Sequence, residues 1–246
     1  MWIFNALICV TANNNWNRRG KLRNIGHMMT LRKTSASQTL VEEIFNALSH
    51  GLGVLLGVAA LIILVSISAY HDSAIKMMSS LIYGISFILM YLASTLYHGV
   101  QPENVKKYLQ IADHSSIYVF IAGSYTPFTL VSMHGDWGWS LFGVVWGLAI
   151  FGVIFKLFFT GRYEFLSVSI YLLMGWLIVI AIKPMMHSLS LPGLMWLLVG
   201  GLCYTFGVVF YALDGRYHFS HFMWHLCVLA GSICQFFAIF LHVISN

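Results

Sequence analysis

Three histidines at the ends of apolar segments are the residues best placed to do chemistry. His221 and His225 are four apart in HFMWH, so on a helix they lie on one face, about one turn from each other. That spacing lets two imidazoles bind a single zinc ion, and His98, which ends another apolar segment, would be the third ligand. Three protein ligands with an open fourth position are the pattern of a catalytic zinc site.

Asp113 and Ser94 are the residues expected to act beside the metal. Asp113 lies near the start of the next apolar segment, at a predicted depth matching that of His221, where it could hold or deprotonate a water whose pKa zinc lowers to about 7. Ser94 lies four residues before His98 in STLYH and could donate a hydrogen bond to a substrate carbonyl. A single histidine in a membrane helix often only bonds a neighbouring helix, at about 0.6 kcal/mol. The prediction therefore rests on the convergence of these residues.

A second group of polar residues enters from the same end of the predicted bundle. Glu43, Asn46 and His50 fall at i, i+3 and i+7, which places them on one face of a helix. With Tyr125, in GSYTP, they are expected either to surround the metal ligands or to line a substrate channel.

Composition predicts the fold class. The chain has 246 residues, of which 59% are hydrophobic and 9% charged, far from an ordinary soluble domain. A hydrocarbon core about 30 Å thick needs about 20 apolar residues per helix. The chain is therefore expected to be an all-α integral membrane bundle of seven helices, at roughly 47–69, 78–98, 110–133, 138–159, 164–182, 191–213 and 220–243.

The basic residues predict how the bundle sits in the membrane. Eleven of the 13 Lys and Arg fall in the N-terminal segment and in the loops that share its side, so the positive-inside rule places the N-terminus inside and the C-terminus outside. The metal site would then lie at the cytoplasmic end, in the plasma membrane or a bacterial inner membrane. The net charge of +5 sits in loops, and no nucleic-acid partner is predicted.

Two domains are expected from the change in composition along the chain. Residues 1–41 are polar and basic, either a flexible cytoplasmic arm or the product of a start codon upstream of the true one at Met28 or Met29. Residues 42–246 form the membrane domain. The four cysteines include no CxxC pair, so neither a disulfide framework nor a thiolate zinc site is predicted.

Five motifs together resemble the hemolysin III family, which belongs with the progestin and adiponectin receptors. They are SH at 49–50 after Glu43 and Asn46, STLYH at 94–98, DHSSIY at 113–118, GSYTP at 123–127 and SHFMWH at 220–225. The resemblance covers residue 42 to the C-terminus in the right order. It implies seven helices, an inside N-terminus and zinc held by three histidines, with the family's aspartate and serine at Asp113 and Ser94. It also implies a hydrolase of the ceramidase type.

Three functions stay open from the sequence. The first is a zinc-dependent hydrolase acting on an amide or ester bond of a membrane lipid. The second is a non-catalytic sensor or regulator of membrane state, with zinc as a structural pin. The third, a cytolytic protein, is disfavoured because seven well-matched spans suit a resident membrane protein. No oligomeric state is predicted.

Overall fold

A computed structural model describes residues 38–245 of the chain. The predicted arm lies outside these residues except for positions 38–41, and every regular element within them is helical. In chain order the α-helices are α1 Leu40–Tyr70, α2 Ala74–Gly99, α3 Glu103–Pro127, α4 Gly135–Phe159, α5 Glu164–Gly175, α6 Ile182–Ser188, α7 Leu191–Ala212 and α8 Ser220–Ile239. Helices α3 and α8 end in π-helical segments, Phe128–Met133 and Phe240–Ile244.

The predicted membrane bundle is confirmed. Within the described residues, six helices are long and apolar enough to cross a membrane, and α5 with α6, bent by 57°, forms either a broken seventh span or a re-entrant loop. These spans follow the seven predicted segments.

The first helix begins earlier than predicted, at Leu40 instead of about 47. Thr39 and Glu42 form a capping box in which the Thr39 N–H donates to Glu42 Oε2 at 2.7 Å and the Glu42 N–H donates to Thr39 Oγ1 at 3.3 Å. This arrangement satisfies free backbone groups at the helix start. The extra turns bring Glu42 into the helix together with Glu43, which was already expected on its polar face.

The fifth span is broken, whereas a continuous helix over 164–182 was predicted. Pro184 lacks a backbone N–H, and its ring clashes with the carbonyl four residues earlier, so a helix cannot run unbroken through this point. The Tyr125 hydroxyl compensates for part of the break. It donates to the Gly175 carbonyl at 2.8 Å and accepts from the Ile178 N–H at 3.1 Å.

Packing is closest between α1 and α2 and around α3. A Cβ atom at Gly53 would overlap the Tyr91 ring, and one at Gly84 would overlap the Leu61 side chain, so the two backbones approach where only glycine fits. α3 is the most enclosed span, with 67% of its apolar window buried. α7 packs mainly on α8, and α5 has few contacts with either neighbour.

Contacts between helix ends show which ends lie together. Lys106 at the start of α3 contacts Glu43 at the start of α1, and His98 at the end of α2 contacts the same carboxylate. We call this face of the bundle the histidine end. At the opposite end, Lys76 at the start of α2 donates to the Ile244 carbonyl at the end of α8.

Candidate metal centre

The three predicted metal ligands lie together at the histidine end. His98 is in the last turn of α2, and His221 and His225 are in the first two turns of α8. One ring nitrogen of each lies within 4.8 Å of the other two, and the ring centroids are 4.7 to 5.1 Å apart. The cluster can therefore hold a metal ion.

The other ring nitrogen of each histidine is held by an acceptor. His98 Nδ1 donates to Glu43 Oε2 at 2.6 Å, and His221 Nδ1 donates to Asp214 Oδ2 at 2.9 Å. His225 Nδ1 donates to the Asn46 carbonyl at 3.3 Å. Carboxylates and carbonyls only accept, so the proton lies on Nδ1 and Nε2 keeps its lone pair.

This pattern fits a metal. Metal-binding histidines almost always donate their second ring N–H to a carboxylate or carbonyl, which fixes the tautomer and the ring orientation. His98 Nε2 is buried and has no hydrogen-bond partner among the described residues. A buried basic nitrogen in this position can bind a cation.

Two residues that the sequence analysis missed complete these contacts. Lys106 Nζ contacts Glu43 Oε1 at 2.6 Å, which holds the carboxylate that orients His98. Asp214, in the loop before α8, also accepts from Gln38 Nε2 at 3.2 Å. Burial raises the pKa of the Asp214 carboxyl. Hydrogen bonds, chiefly the one from His221, lower this pKa by more than burial raises it, so the net pKa lies below its ordinary value.

Asp113 and Ser94 border the same cavity as His221 and His225. The cavity has a volume of about 400 Å³ and is lined mostly by apolar side chains of α3, α5, α7 and α8. His221, His225, Ser94 and Asp113 line its histidine end. Asp113 is 9% exposed, and among the described residues it forms no salt bridge. A carboxylate that is buried, faces a cavity and lacks a salt bridge is available to a ligand.

The four further residues singled out from the sequence have different surroundings. Glu43 and Asn46 hold the His98 and His225 rings, as described above. His50 stacks on His225 and borders the cavity. Tyr125 also borders the cavity, but its hydroxyl is engaged with the break after α5.

An unpredicted charged cluster lies beside the cavity. Lys156, fully buried in the last turn of α4, contacts Glu164 Oε2 at 2.8 Å, and His114 Nδ1 lies 3.7 Å from Glu164 Oε1. Lys156 lies within the predicted span 138–159, although its charge was counted with the loop residues when the orientation was predicted. Its burial follows from its partner on the next helix, which no local sequence pattern reveals.

Comparison with known proteins identifies the family of the chain. The Haemolysin-III related family matches residues 38–236. The chain is 43% identical over 216 residues to the Hemolysin-3 of Bacillus cereus, covering 88% of this chain and 98% of that protein. It is 45% identical over 206 residues to the Hemolysin-3 homolog of Bacillus subtilis (strain 168), covering 84% and 96%.

A more distant relative is the human Monocyte to macrophage differentiation factor, 27% identical over 173 residues, which cover 68% of this chain and 71% of that protein. No solved structure matches the chain significantly. The match begins at Gln38, two residues before α1, and includes the whole histidine cluster. This integral membrane protein therefore belongs to the haemolysin III-related family.

Proposed function

We propose that the chain is a zinc-dependent membrane hydrolase that cleaves an amide or ester bond of a lipid. The observation that carries the proposal is the shared cavity. Two of the three clustered imidazoles, His221 and His225, border one end of it with the Asp113 carboxyl and the Ser94 hydroxyl, and mostly apolar side chains line the rest. This arrangement suits a substrate with a long apolar chain and a polar group to be cleaved.

Zinc is the metal that the ligand set favours. Imidazole nitrogens bind Zn²⁺ at about 2.0–2.1 Å, and three protein ligands leave the fourth tetrahedral position open. The three ring nitrogens, within 4.8 Å of one another, surround a space small enough for such an ion after slight closure. Sulfur ligands are not involved, since the cluster contains histidines alone.

The side chains would divide the reaction between them. Bound zinc supplies Lewis acidity, which polarises a carbonyl and acidifies water. Asp113 would accept the proton released when water attacks the lipid carbonyl and would return it to the leaving group. Ser94, one turn from His98 on the same face, would donate to the carbonyl oxygen and hold it in place. Glu43 and Asp214 would keep the imidazoles oriented throughout.

A lipid substrate would reach the site from within the bilayer. The cavity is lined by both α5 and α7, which have few contacts with each other. The wall between these helices is therefore its least closely packed side, and a lipid would enter there without crossing the headgroup region.

A structural role for the metal is the competing candidate. The ligands come from α2 and α8, and Glu43 links them to α1. A metal there would pin three helices together whether or not turnover occurs, as a sensor or regulator of membrane state requires. Cytolysis is supported by less, namely the names of two bacterial relatives.

The variant Asp113→Asn distinguishes a hydrolase from a protein in which the metal, acting as a pin, is only structural. The variant keeps a hydrogen-bonding group of the same shape but removes the base, so zinc content should be unchanged while lipid hydrolysis falls about 10²-fold or more. Asp136→Asn, an exposed acidic position at the opposite end, is the matched control. If wild type holds zinc, cleaves none of a broad panel of lipid amides and esters, and Asp113→Asn changes only stability, the pin replaces the hydrolase.

We also propose that the histidine end faces the cytoplasm. The basic residues at helix ends beside the cluster, Lys106 and Lys156 among them, support this orientation through the positive-inside rule. A reporter fused after Asn246 should be active only outside, and one joined in the loop at Arg162 only inside. The reverse pattern would move the site to the other face.

A further inference from the structure

His50, in the third turn of α1, is a buried histidine without a hydrogen bond. Its side chain is 3% exposed, and neither ring nitrogen has a partner among the described residues. The ring stacks on His225 with centroids 3.6 Å apart and planes 18° apart, and the Tyr91 ring meets it edge-on at 4.8 Å. It also borders the cavity at the histidine end.

The missing partners set His50 apart from its neighbours. A neutral imidazole always carries one N–H donor and one acceptor, and buried polar groups in native proteins are nearly always paired. His98, His221 and His225 each have Nδ1 held by an acceptor. His50 has no such contact, although it lies in the same cluster of rings.

Metal binding does not account for His50. The group whose ring nitrogens lie within 4.8 Å of one another consists of His98, His221 and His225, and His50 is outside it. Its stacked orientation places its face, instead of a nitrogen, against the ligand His225. His50 borders the cavity, so the cavity is the place from which a partner would reach its ring.

We propose that His50 binds the carbonyl group of an acyl lipid, its ring N–H donating to the carbonyl oxygen. The inference rests on the proposed function for the class of ligand. Beyond the histidine end the cavity is apolar, so the chain of an acyl lipid would lie there with its carbonyl as the first polar group. The stack on His225 then puts the bound carbonyl beside the metal centre, where cleavage of an amide or ester would occur.

Support of the His225 ring is the purely structural alternative, and His50→Phe separates the two. Phenylalanine keeps a flat ring for the stack but has no nitrogen. A supporting role survives this change, whereas carbonyl binding does not. His50→Gln offers the opposite combination, because it restores an N–H donor without the ring.

The experiment uses the zinc-loaded full chain in lipid nanodiscs and a long-chain methyl ketone labelled with carbon-13 at the carbonyl, which cannot be hydrolysed. His50→Phe should bind the ketone about tenfold more weakly, with the bound carbonyl stretch moved to higher frequency and zinc content unchanged. His50→Gln should recover part of the affinity. His242→Phe, at the opposite end and bonded to Ser190, is the matched control and should resemble wild type.

Ketone affinity within twofold of wild type in His50→Phe, with an unshifted carbonyl band, would overturn the inference. Should His50→Phe fail to fold, His50→Gln decides: a hydrogen-bonded carbonyl band supports the proposal, and an unbonded band with zinc retained overturns it. Competition between the ketone and other lipids identifies the class of lipid that supplies the carbonyl. Displacement by oleamide indicates an amide lipid, displacement by oleate a free fatty acid, and displacement by neither contradicts the proposal.

Hydrolysis is measured separately, so the two proposals can fail independently. Wild type that binds the ketone through His50 but cleaves no lipid would leave this inference standing and remove the hydrolase. Wild type that cleaves lipid amides, with ketone binding indifferent to His50→Phe, would do the reverse.

Discussion

At the histidine end, the buried carboxylate of Glu43 orients an imidazole and pairs with a lysine, whereas at the opposite end the contacts of Lys76 and His242 are single hydrogen bonds to a backbone or hydroxyl group. Glu43 contacts both His98 and Lys106. At the other end, Lys76 meets only the Ile244 carbonyl, at 2.9 Å. Charge buried within a membrane is expensive and marks function. The comparison teaches that the ion pairs of the described residues lie at the histidine end only.

The largest effect is expected from removing a metal ligand. His98→Ala should lower zinc from about one ion per chain to a small fraction of that, because two imidazoles cannot complete the site. It also leaves the buried Glu43 carboxylate without its ring partner, so thermal stability in detergent should fall. Elemental analysis and thermal unfolding measure the two effects. His242→Ala, at the opposite end, is the control, and equal zinc in both variants would contradict the assigned ligands.

The next largest effect concerns the buried lysine. Lys156→Met should lower the free energy of unfolding by about 2 kcal/mol, less than for a closed ion pair because the Glu164 side chain is 31% exposed. Adding Glu164→Gln should recover at least half of the loss, since no unpaired charge then remains. Thermal unfolding of the single and double variants tests this. A double variant no more stable than Lys156→Met would show that the pair contributes through packing alone.

A smaller effect is expected from the groups that orient the rings. Asp214→Asn keeps an acceptor for His221 but removes its charge, so zinc affinity should fall about tenfold, the lower limit for residues that hold a metal ligand. Competition with a zinc chelator measures the affinity, and Asp136→Asn is the control. Unchanged affinity would mean that Asp214 only fastens the loop before α8.

The smallest effect is expected at the opposite end. Lys76→Met removes one partly buried hydrogen bond to a backbone carbonyl, and the unfolding free energy should change by no more than about 0.5 kcal/mol. Zinc content should be unaffected. A loss of stability as large as that of Lys156→Met would abolish the contrast between the two ends.

The features of the site that depend on sequence periodicity could be predicted from the sequence. The spacing of His221 and His225, with the alternation of spans, was enough to bring His98 beside them, because span order determines which helix ends meet. Contacts that depend on how a helix is rotated about its axis could not be predicted from the sequence. That Lys156 turns inward to Glu164, and that Asp214 reaches His221 from a loop, depends on angles between helices that no repeat of apolar residues encodes.

The same distinction between predictable and unpredictable features applies to the fold. Length and hydropathy predicted the apolar segments, and Pro184 is visible in the sequence, but the Tyr125 hydroxyl that compensates for part of the break lies on another helix. The early start of α1 was visible in principle, since Thr39 and Glu42 have the spacing of a capping box. Because Thr39 and Glu42 are polar, they were placed before the predicted span.

The close approach of α1 and α2 at Gly53, Gly57 and Gly84 has a mechanical consequence. These two helices carry Glu43 and His98, and their interlocked backbones make them the stiff part of the bundle. The broken span has fewer contacts and is the compliant part, where thermal motion will concentrate. Under the proposed function, exchange of a lipid with the cavity would be governed by a segment that holds none of the three predicted metal ligands. Exchange kinetics and metal geometry can thus evolve separately in this protein.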